Sequence, residues 1–383
     1  MLPIPFPPTT HAADSPHVSA AVYRRRLEVC AACEHHGSHR CLESDVLLPL
    51  TARRKMCACP LDRWSGVESL PPAFRPHPGI QVRVIDPHTW ITMRQLIDDT
   101  AWMCGHLPGD IDAVIGVARS GLIPAQQIAC ARHLPLFACR ISWSYAEEAV
   151  VDVGNGWRLT DYGRKRFRKV LLVDDTAWHG RSMNGATALV RRKFPDVQIV
   201  RAAVYATSHS QEFLDAWACT YDGLHYLEWN LFNSGHAETL ATDFDGILCP
   251  DFSVEEDDDG PRYREALRAR RALHTPRRRA LSAIITARLE KYRQLTAAWL
   301  AHYGIRYQRL VMGPWATKGE RQRADVAAWK AREFVSTGLE MFVESNPAQA
   351  EAIHRQTGKK VLCPALGRVL PGRLEDEALF RSG

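Results

Sequence analysis

Paired carboxylates at the end of an apolar run mark the first stretch that could do chemistry. Residues 170–173 are Val-Leu-Leu-Val, and Asp174 and Asp175 follow directly. The run is typical of a strand buried on both faces, and residues 182–193 predict an amphipathic helix that packs back on it. Open α/β sheets bind ligands at the carboxyl ends of such strands. The sequence therefore predicts a ligand site at this strand end.

The loop at residues 176–182 would complete this site. It offers backbone N–H groups, hydroxyls and a helix N-terminus, which together suit an anion. Carboxylates suit sugar hydroxyls or Mg²⁺. A ribose phosphate with magnesium carries all of these groups and is the ligand that we expect, although another phosphate at a helix-capped loop is the alternative.

The stretch resembles the phosphoribosyl pyrophosphate (PRPP) motif of the type I phosphoribosyltransferases, which is an apolar strand, two acids, a spacer, Thr-Gly, any residue and Thr. Asp174, Asp175, Gly180 and Ser182 match the motif, whereas His179 stands where the family usually has Thr. The resemblance implies that PRPP contacts this whole segment, namely Asp174, Asp175, Thr176, Ala177, Trp178, His179, Gly180, Arg181 and Ser182.

A second turn of small residues follows the predicted strand at residues 111–117. Ala118, Arg119, Ser120 and Gly121 connect this strand to a helical run at residues 122–132. Such a turn, with one Arg ahead of a helix, is a natural oxyanion cradle. The matching loop of the phosphoribosyltransferases holds the pyrophosphate, so the resemblance assigns these four residues to PRPP as well. An ordinary turn between strand and helix is the alternative.

Two further segments are candidates for closing the site and choosing the substrate. Residues 144–164 form a long stretch rich in Gly, Tyr, Trp and charge, and the family has a flexible loop here that shields the reaction from water. Residues 208–234 have no clear periodicity and are the candidate hood over the base. Within them, Tyr226, Trp229 and Phe232 either stack on a nitrogenous base or pack as core aromatics at a domain junction.

Another acidic pair ends a predicted strand that begins at Thr239. Asp243 and Asp245 can address one site because Gly246 allows a sharp turn between strand and loop. One carboxylate could then attack phosphorus while the other handles the proton of the leaving group. The spacing resembles the Asp-x-Asp-Gly motif of the haloacid dehalogenase (HAD) phosphatases, and the later motifs of that family follow in order.

The HAD resemblance implies further functional residues at three later strand ends. Thr286 follows the strand at residues 281–285 and would contact phosphate, and Lys318 is the preferred lysine, with Lys330 as its rival. Glu344 follows the strand at residues 341–343, although the aspartate that the family adds there is missing. The implied catalytic set is Asp243, Asp245, Thr286, Lys318 and Glu344, with Mg²⁺ on Asp243, Asp245 and Glu344.

Closely spaced cysteines near the start of the chain suggest a metal site. Cys30 and Cys33 form one pair and Cys57 and Cys59 another, as tetrahedral Zn²⁺ requires. Cys41 is the main rival for a place in the second pair. An iron–sulfur cluster would use similar residues, and unmetallated thiols are a further alternative. We expect a structural zinc, while the basic residues 24–26 leave room for contact with nucleic acid.

The elements that position these residues alternate between strand and helix. Helical spacing at residues 92–105 precedes the strand at 111–117, and further strands are predicted at 136–141, 197–206 and 309–312. This pattern predicts an α/β protein with two tandem Rossmann-like domains built on parallel sheets. The predicted boundaries are a flexible lead-in at 1–22, a Cys-rich zinc-binding module at 23–68, a Pro-rich linker at 69–84, a phosphoribosyltransferase-like domain at 85–236 and a HAD-like domain at 237–383.

Composition excludes several classes of protein. The chain has 383 residues, a net charge of +6 and 46% hydrophobic residues, so it can bury sizeable cores without the strong basic excess of a nucleic-acid binder. No stretch approaches the ~18 consecutive apolar residues of a membrane span. The first ten residues do not resemble a signal peptide. Eleven cysteines, clustered early and then scattered, indicate a reducing cytoplasm.

The two resemblances together imply a bifunctional enzyme of nucleotide metabolism. One site would join PRPP and a nitrogenous base, or run the reverse reaction, with Mg²⁺. The other would hydrolyse a phosphate monoester such as the nucleotide product. A regulatory protein that senses PRPP or a nucleotide, and contacts nucleic acid through its Cys-rich module, is the alternative. The prediction leaves room for a homodimer.

Overall fold

The structure is a computed structural model that describes residues 40–41, 46–47, 82–86, 88–141, 148–153 and 167–372. The chain divides into two units, Met1–Arg75 and Pro76–Gly383. In the first unit the described residues are two antiparallel strands, β1 (Arg40–Cys41) and β2 (Val46–Leu47), with Cys41 opposite Val46. The predicted lead-in and the predicted zinc ligands Cys30, Cys33, Cys57 and Cys59 lie outside the described residues.

A seven-stranded sheet organises the first half of the second unit. Its spatial order is β3-β10-β9-β8-β5-β6-β7, and every neighbouring pair is parallel except β6 with β7. The strands are β3 (Arg83–Ile85), β5 (Ala113–Val117), β6 (Leu136–Arg140), β7 (Ala149–Asp152), β8 (Lys169–Ala177), β9 (Gln198–Ala206) and β10 (Ala216–Tyr221).

The five central strands have one of the two common doubly wound orders. Numbered along the chain, β5, β6, β8, β9 and β10 lie in the order 2-1-3-4-5. In this arrangement the connections leave the sheet in opposite directions at the boundary between the first and third strands, which opens a crevice at their carboxyl ends. That boundary lies between β5 and β8, whose ends carry the two predicted PRPP segments.

Helices cover both faces of this sheet. The helices are α1 (Met93–His106), α2 (Leu122–Arg132) and α3 (Arg181–Lys193). Leu171 and Val173 of β8 share a core with α1 and α2, whereas Val170 and Leu172 share the opposite core with α3. Because successive side chains of a strand point to opposite faces, burial on both faces explains the continuous apolar run before the acidic pair.

A second sheet of six strands organises the rest of the unit. Its order is β14-β13-β12-β15-β16-β17, which is 3-2-1-4-5-6 along the chain, and only the last pair is antiparallel. The switch point of this order lies between β12 and β15. The strands are β12 (Leu240–Thr242), β13 (Leu281–Leu289), β14 (Tyr307–Gly313), β15 (Met341–Val343), β16 (Lys360–Cys363) and β17 (Arg368–Leu370).

The helices of this second half come after the first strand of the sheet. They are α4 (Pro261–Ala269), α5 (Arg293–His302), α6 (Lys318–Arg323), α7 (Val326–Thr337) and α8 (Pro347–Thr357). Nowhere in the described ranges does a helix combine the length and the apolar character needed to cross a bilayer.

The two sheets meet in a shared junction. Strand β4 (Trp90–Ile91) pairs with β11 (Tyr226–Leu227), and the Trp90 N–H donates to the Gly367 carbonyl at 2.9 Å. Trp90, Tyr226 and Phe232 are buried in the core of the second sheet. The chain segments that border the first sheet therefore complete the hydrophobic core of the second.

Three predictions about the first sheet are corrected. Residues 83–84, assigned to the linker, belong to the edge strand β3, and residues 149–152 of the predicted lid form the edge strand β7. The rest of the predicted lid, except residues 148 and 153, lies outside the described residues. Strand β10 was missed because its burial follows no clean alternation. The fold remains the predicted α/β arrangement with predominantly parallel sheets.

Candidate active sites

The first site is built where β5 and β8 end side by side. Asp174 and Asp175 lie near the end of β8, which continues to Ala177, so both acids belong to the strand and not to the loop after it. The loop that follows β5 reaches the same place. A Cβ atom on Gly121 would lie 2.6 Å from Asp174 Oδ1, which leaves no space for a side chain. The structure thus brings the loop of residues 118–121 into contact with the acidic pair.

The acidic pair is buried and held by directed hydrogen bonds. The Asp175 N–H donates to Asp174 Oδ1 at 2.9 Å, and Trp229 Nε1 donates to Asp175 Oδ2 at 2.6 Å. Burial and the neighbouring Asp175 carboxylate raise the pKa of Asp174 well above its usual range. A ligand that supplies hydroxyl donors or a cation would favour the charged form of Asp174.

A cleft of about 380 Å³ opens beside these acids. It is lined by Asp174, Thr176, Ala177, Trp178, His179, Gly180, Arg181, Ser182 and Met183. Of the ten consecutive residues 174–183, all except Asp175 therefore face the same space. Ala118, Arg119 and Ser120 are not among the lining residues, although their loop reaches Asp174 through Gly121.

Gly180 shapes the end of the cleft at the start of α3. It precedes α3 with φ at 65°, and a Cβ there would lie 2.4 Å from the Phe213 ring, so both conformation and space require glycine. No side chain caps this helix. The first amides of a helix have no partner within it and carry partial positive charge, so Arg181, Ser182 and Met183 present N–H groups suited to a phosphate.

His179 departs from the PRPP motif but keeps a polar group at this end of the cleft. Burial, Arg181 and His209 lower the pKa of His179 below its ordinary value, so we expect a neutral imidazole at pH 7. A neutral imidazole has one N–H donor and can replace the hydroxyl donor that Thr supplies in the family. The exposed Arg181 adds positive charge to the same lining.

The three aromatic residues proposed for the base have different environments. Tyr226 and Phe232 are 2% and 3% exposed in the core of the second sheet, where they offer no surface to a ligand. Their assignment to base binding is therefore corrected in favour of the domain-junction alternative. Trp229 stacks on Tyr205 with ring centroids 6.4 Å apart and uses its indole N–H on Asp175, so it supports the acidic pair instead.

The second site lies at the switch point between β12 and β15. Lys330 Nζ donates to Asp243 Oδ2 at 2.8 Å and to Glu344 Oε2 at 2.7 Å, and all three side chains are buried. Burial alone would lower the pKa of Lys330. The carboxylates of Asp243 and Glu344 outweigh this effect and raise that pKa above its ordinary value. One ammonium therefore bridges the two predicted catalytic acids.

This geometry corrects the choice of lysine. Lys318, which the sequence favoured, begins α6 and its ammonium donates to the Asp257 carbonyl. It also forms an ion pair with the Asp257 carboxylate at 3.2 Å. Lys330, the rival, lies on α7 and reaches the acids. Its helix packs against the sheet, which places a buried lysine over the strand ends.

Arg288 was missed by the sequence analysis and determines the environment of Asp245. Its Nη2 donates to Asp245 Oδ1 at 2.6 Å and its Nε to Oδ2 at 3.0 Å, while its guanidinium lies 3.7 Å from the centre of the Phe244 ring. This clamp occupies both oxygens of Asp245. Thr286 is buried on the same strand, and its hydroxyl oxygen accepts a hydrogen bond from the backbone N–H of Arg288 at 3.3 Å.

The donor sets of the two sites differ in how they suit Mg²⁺. Throughout the described part of the chain, no group of three or more His, Cys, Asp or Glu side chains could hold a metal ion. Asp174 and Asp175 fit a magnesium that is bound by carboxylates together with substrate phosphates. The predicted set of Asp243, Asp245 and Glu344 is corrected, because Lys330 and Arg288 occupy these carboxylates instead.

The fold and the first site define an α/β domain with an acidic pair and an uncapped helix N-terminus at its switch point. Residues 92–238 match the family model of the phosphoribosyl transferase domain, and the match does not extend to the second sheet. No curated protein sequence matches the chain significantly.

Solved structures of phosphoribosyltransferases are similar to part of the chain. Purine phosphoribosyltransferase from Pyrococcus horikoshii Ot3 is 20% identical with a TM-score of 0.30, covering 37% of this chain and 93% of that one. Xanthine-guanine-hypoxanthine phosphoribosyltransferase from Helicobacter pylori is 14% identical with a TM-score of 0.30, covering 36% and 91%. Orotate phosphoribosyltransferase from Aeropyrum pernix is 19% identical with a TM-score of 0.27, covering 34% and 78%.

The hydrogen bond between Trp229 and Asp175 can be tested by its effect on stability. Trp229→Phe keeps an aromatic ring beside Tyr205 but removes the donor to a buried carboxylate. We expect the free energy of unfolding to fall by about 1.5–3 kcal/mol, the usual contribution of a hydrogen bond to a charged group. Urea denaturation followed by circular dichroism would measure the change.

Trp217→Phe is the matched control for this substitution. The Trp217 indole N–H is buried without a hydrogen-bond partner among the described residues, so its removal breaks no such bond. Both variants lose the same atoms from an aromatic side chain. Equal losses of stability in the two variants would show that the bond to Asp175 contributes nothing.

Proposed function

We propose that the first site catalyses the Mg²⁺-dependent transfer of a 5-phosphoribosyl group between PRPP and a nitrogenous base. The observation that carries this proposal is a cleft that Asp174, with its buried neighbour Asp175 directly beside it in the chain, shares with an uncapped helix N-terminus. A ribose phosphate needs acceptors for its hydroxyls and donors for its phosphate, and the cleft offers both within nine residues. The family match over residues 92–238 supports the same chemistry.

Each part of the cleft has a role in this reaction. The amides of Arg181 and Ser182 and the loop before them would hold the 5′-phosphate. Asp174 and Asp175 would accept hydrogen bonds from the ribose hydroxyls and hold the Mg²⁺ that accompanies the pyrophosphate. Bound Mg²⁺ would neutralise charge on the leaving group. The loop at residues 118–121, which reaches Asp174, would hold the pyrophosphate itself.

The carboxylates also suit the electrostatics of the bond exchange. The C1–O bond to pyrophosphate breaks and a C1–N bond to the base forms, with positive charge developing on the ribose ring. Fixed negative groups at low dielectric stabilise such a charge more strongly than water does. Because Trp229 and the Asp175 N–H fix the orientation of the pair, the carboxylates need no reorganisation during the reaction.

Neutralising the acidic pair should abolish substrate binding. In the variant Asp174→Asn with Asp175→Asn we expect the affinity for PRPP with Mg²⁺ to fall about 100-fold or more, because charged hydrogen bonds each contribute about 1.5–3 kcal/mol. Isothermal titration calorimetry on the full chain would measure this change, with circular dichroism to confirm folding.

The control removes two exposed carboxylates at the amino ends of strands in the same sheet, away from the carboxyl ends that form the site. Asp110 and Asp196 precede β5 and β9, and both are exposed. Asp110→Asn with Asp196→Asn changes the net charge equally and should leave PRPP affinity unchanged. Unchanged PRPP affinity in the variant of the acidic pair would refute the assignment of the site.

We further propose that the second site hydrolyses a phosphate monoester through a covalent aspartyl-phosphate on Asp243. The supporting observation is the buried cluster in which Lys330 bridges Asp243 and Glu344 at the switch point of the sheet. Lys330 would orient the attacking carboxylate, and the buried hydroxyl of Thr286 would contact the phosphate. Asp245, clamped by Arg288, is fixed in position beside this site.

The presence of both sites in one chain suggests successive reactions. Transfer would produce a nucleotide with a 5′-phosphate, and hydrolysis of that phosphate would draw the first equilibrium forward. The partners of the chain would then be PRPP, a nitrogenous base and a nucleotide or other phosphate monoester. Binding of PRPP without pyrophosphate release with any base would favour the sensing role instead.

Asp243→Asn should separate the two activities. It preserves size but removes the charge of the nucleophile, so release of phosphate from nucleoside monophosphates should fall by roughly three powers of ten or more. Pyrophosphate release at the first site should persist, because distant sites act nearly independently. Enzymatic assays of phosphate and pyrophosphate would measure both.

A pair of lysine variants tests the corrected assignment. Lys330→Met should abolish phosphate release, whereas Lys318→Met should change it less than about threefold, because the Lys318 ammonium is paired with Asp257 and not with Asp243 or Glu344. Thermal denaturation would identify a Lys330 variant that fails to fold.

Full hydrolysis by folded Asp243→Asn protein would eliminate the hydrolase proposal.

A further inference from the structure

Trp178 is an exposed indole inside the cleft of the first site. It lies between the end of β8 and the start of α3, and 41% of its surface is exposed. Apart from the imidazole of His179, it is the aromatic side chain among the residues that line the cleft. A large apolar ring in a polar concave site offers a face for a ligand that can stack.

The surroundings of Trp178 hold this ring in place. The Thr207 hydroxyl donates to the Trp178 carbonyl at 2.8 Å, which fixes the backbone of the loop. The His225 ring lies against the indole with centroids 4.8 Å apart. His225 Nε2 is 2.7 Å from the Tyr221 carbonyl oxygen, so the supporting imidazole is itself anchored. A ring that is ordered before binding loses less entropy when a ligand stacks on it.

The imidazole that supports the indole is itself uncharged. Burial lowers the pKa of His225 below its ordinary value, which keeps the imidazole neutral at pH 7. The indole is therefore supported by a neutral ring, and no cation competes for its π-face from that side. The exposed remainder of the indole is available to the cleft.

The other aromatic candidates for stacking on the base already have other contacts. Tyr226 and Phe232 are buried in the second core, and Trp229 is bound to Asp175. Among the described residues of the cleft, this leaves Trp178 as the ring able to stack on a base. The chain from Trp178 to Arg181 spans at most ~10 Å, a distance that the ribose of a nucleotide can bridge between base and phosphate.

We propose that Trp178 is the platform on which the nitrogenous base stacks, and therefore a specificity-determining residue of the first site. This inference rests on the proposed phosphoribosyl transfer at the same cleft. The 5′-phosphate would lie at the start of α3, the ribose at the acidic pair, and the base against the indole. Stacking requires only a π-face, so the platform accepts several bases and favours larger ring systems.

The test compares ligands that differ only in carrying a base. Displacement of PRPP from the full chain would be measured for ribose 5-phosphate, UMP and AMP, in the wild type and in Trp178→Ala and Trp178→Phe. Counting only binding that competes with PRPP removes any contribution from the second site. The affinity for PRPP itself, which carries no base, reports whether the loop of each variant is intact.

Trp178→Ala should weaken AMP about tenfold or more, and UMP less, because stacking contributes substantially to the binding of each base. Ribose 5-phosphate and PRPP, which contact the loop but carry no base, should lose several-fold less affinity than AMP, and Trp178→Phe should retain most of the affinity for AMP. If AMP weakens no more than ribose 5-phosphate while PRPP still binds, the platform is refuted and the transferase proposal stands. If the wild type binds neither PRPP nor ribose 5-phosphate, both proposals fail.

Discussion

The burial of two adjacent carboxylates is the constraint on which the first domain depends. Asp174 and Asp175 lose the solvation that water would give them, and their mutual repulsion adds to that cost. Hydrogen bonds from the indole N–H of Trp229 and from the backbone N–H of Asp175 offset part of this cost. The remaining demand for hydroxyl donors or a cation suits this strand end to a ligand that supplies them. The absence of a side chain at Gly121 allows the neighbouring loop to approach Asp174.

The same constraint connects the two halves of the second unit. Trp229 contacts Asp175, while Tyr226 and Phe232, only three residues away on either side, are buried in the core of the second sheet. Residues that complete the first site therefore depend on the packing of the second domain. This arrangement explains why the segment has no clear periodicity, because its side chains alternate between a site and a core. Substitutions that disrupt the second core should therefore also disturb the hydrogen bond between Trp229 and Asp175.

Much of this organisation could be predicted from the sequence, because buried parallel strands give continuous apolar runs and their polar ends stand out. Helix α2 and the acidic strand ends follow from that pattern. The choice between Lys318 and Lys330 could not, since it depends on how α7 packs over the strand ends. Arg288 was a detectable signal, a charged residue within the apolar strand β13, but its partner could not be identified without the fold. The roles of Tyr226, Trp229 and Phe232 required knowledge of where the domain junction lies.

The central claim is that the cleft beside Asp174 and Asp175 binds PRPP. A crystal structure of the full chain with PRPP and Mg²⁺ at saturating concentration tests it most directly. The account predicts the 5′-phosphate within hydrogen-bonding distance of the backbone amides of Arg181 and Ser182, and the ribose hydroxyls at the two carboxylates. PRPP bound only elsewhere, or an empty cleft under these conditions, would contradict it.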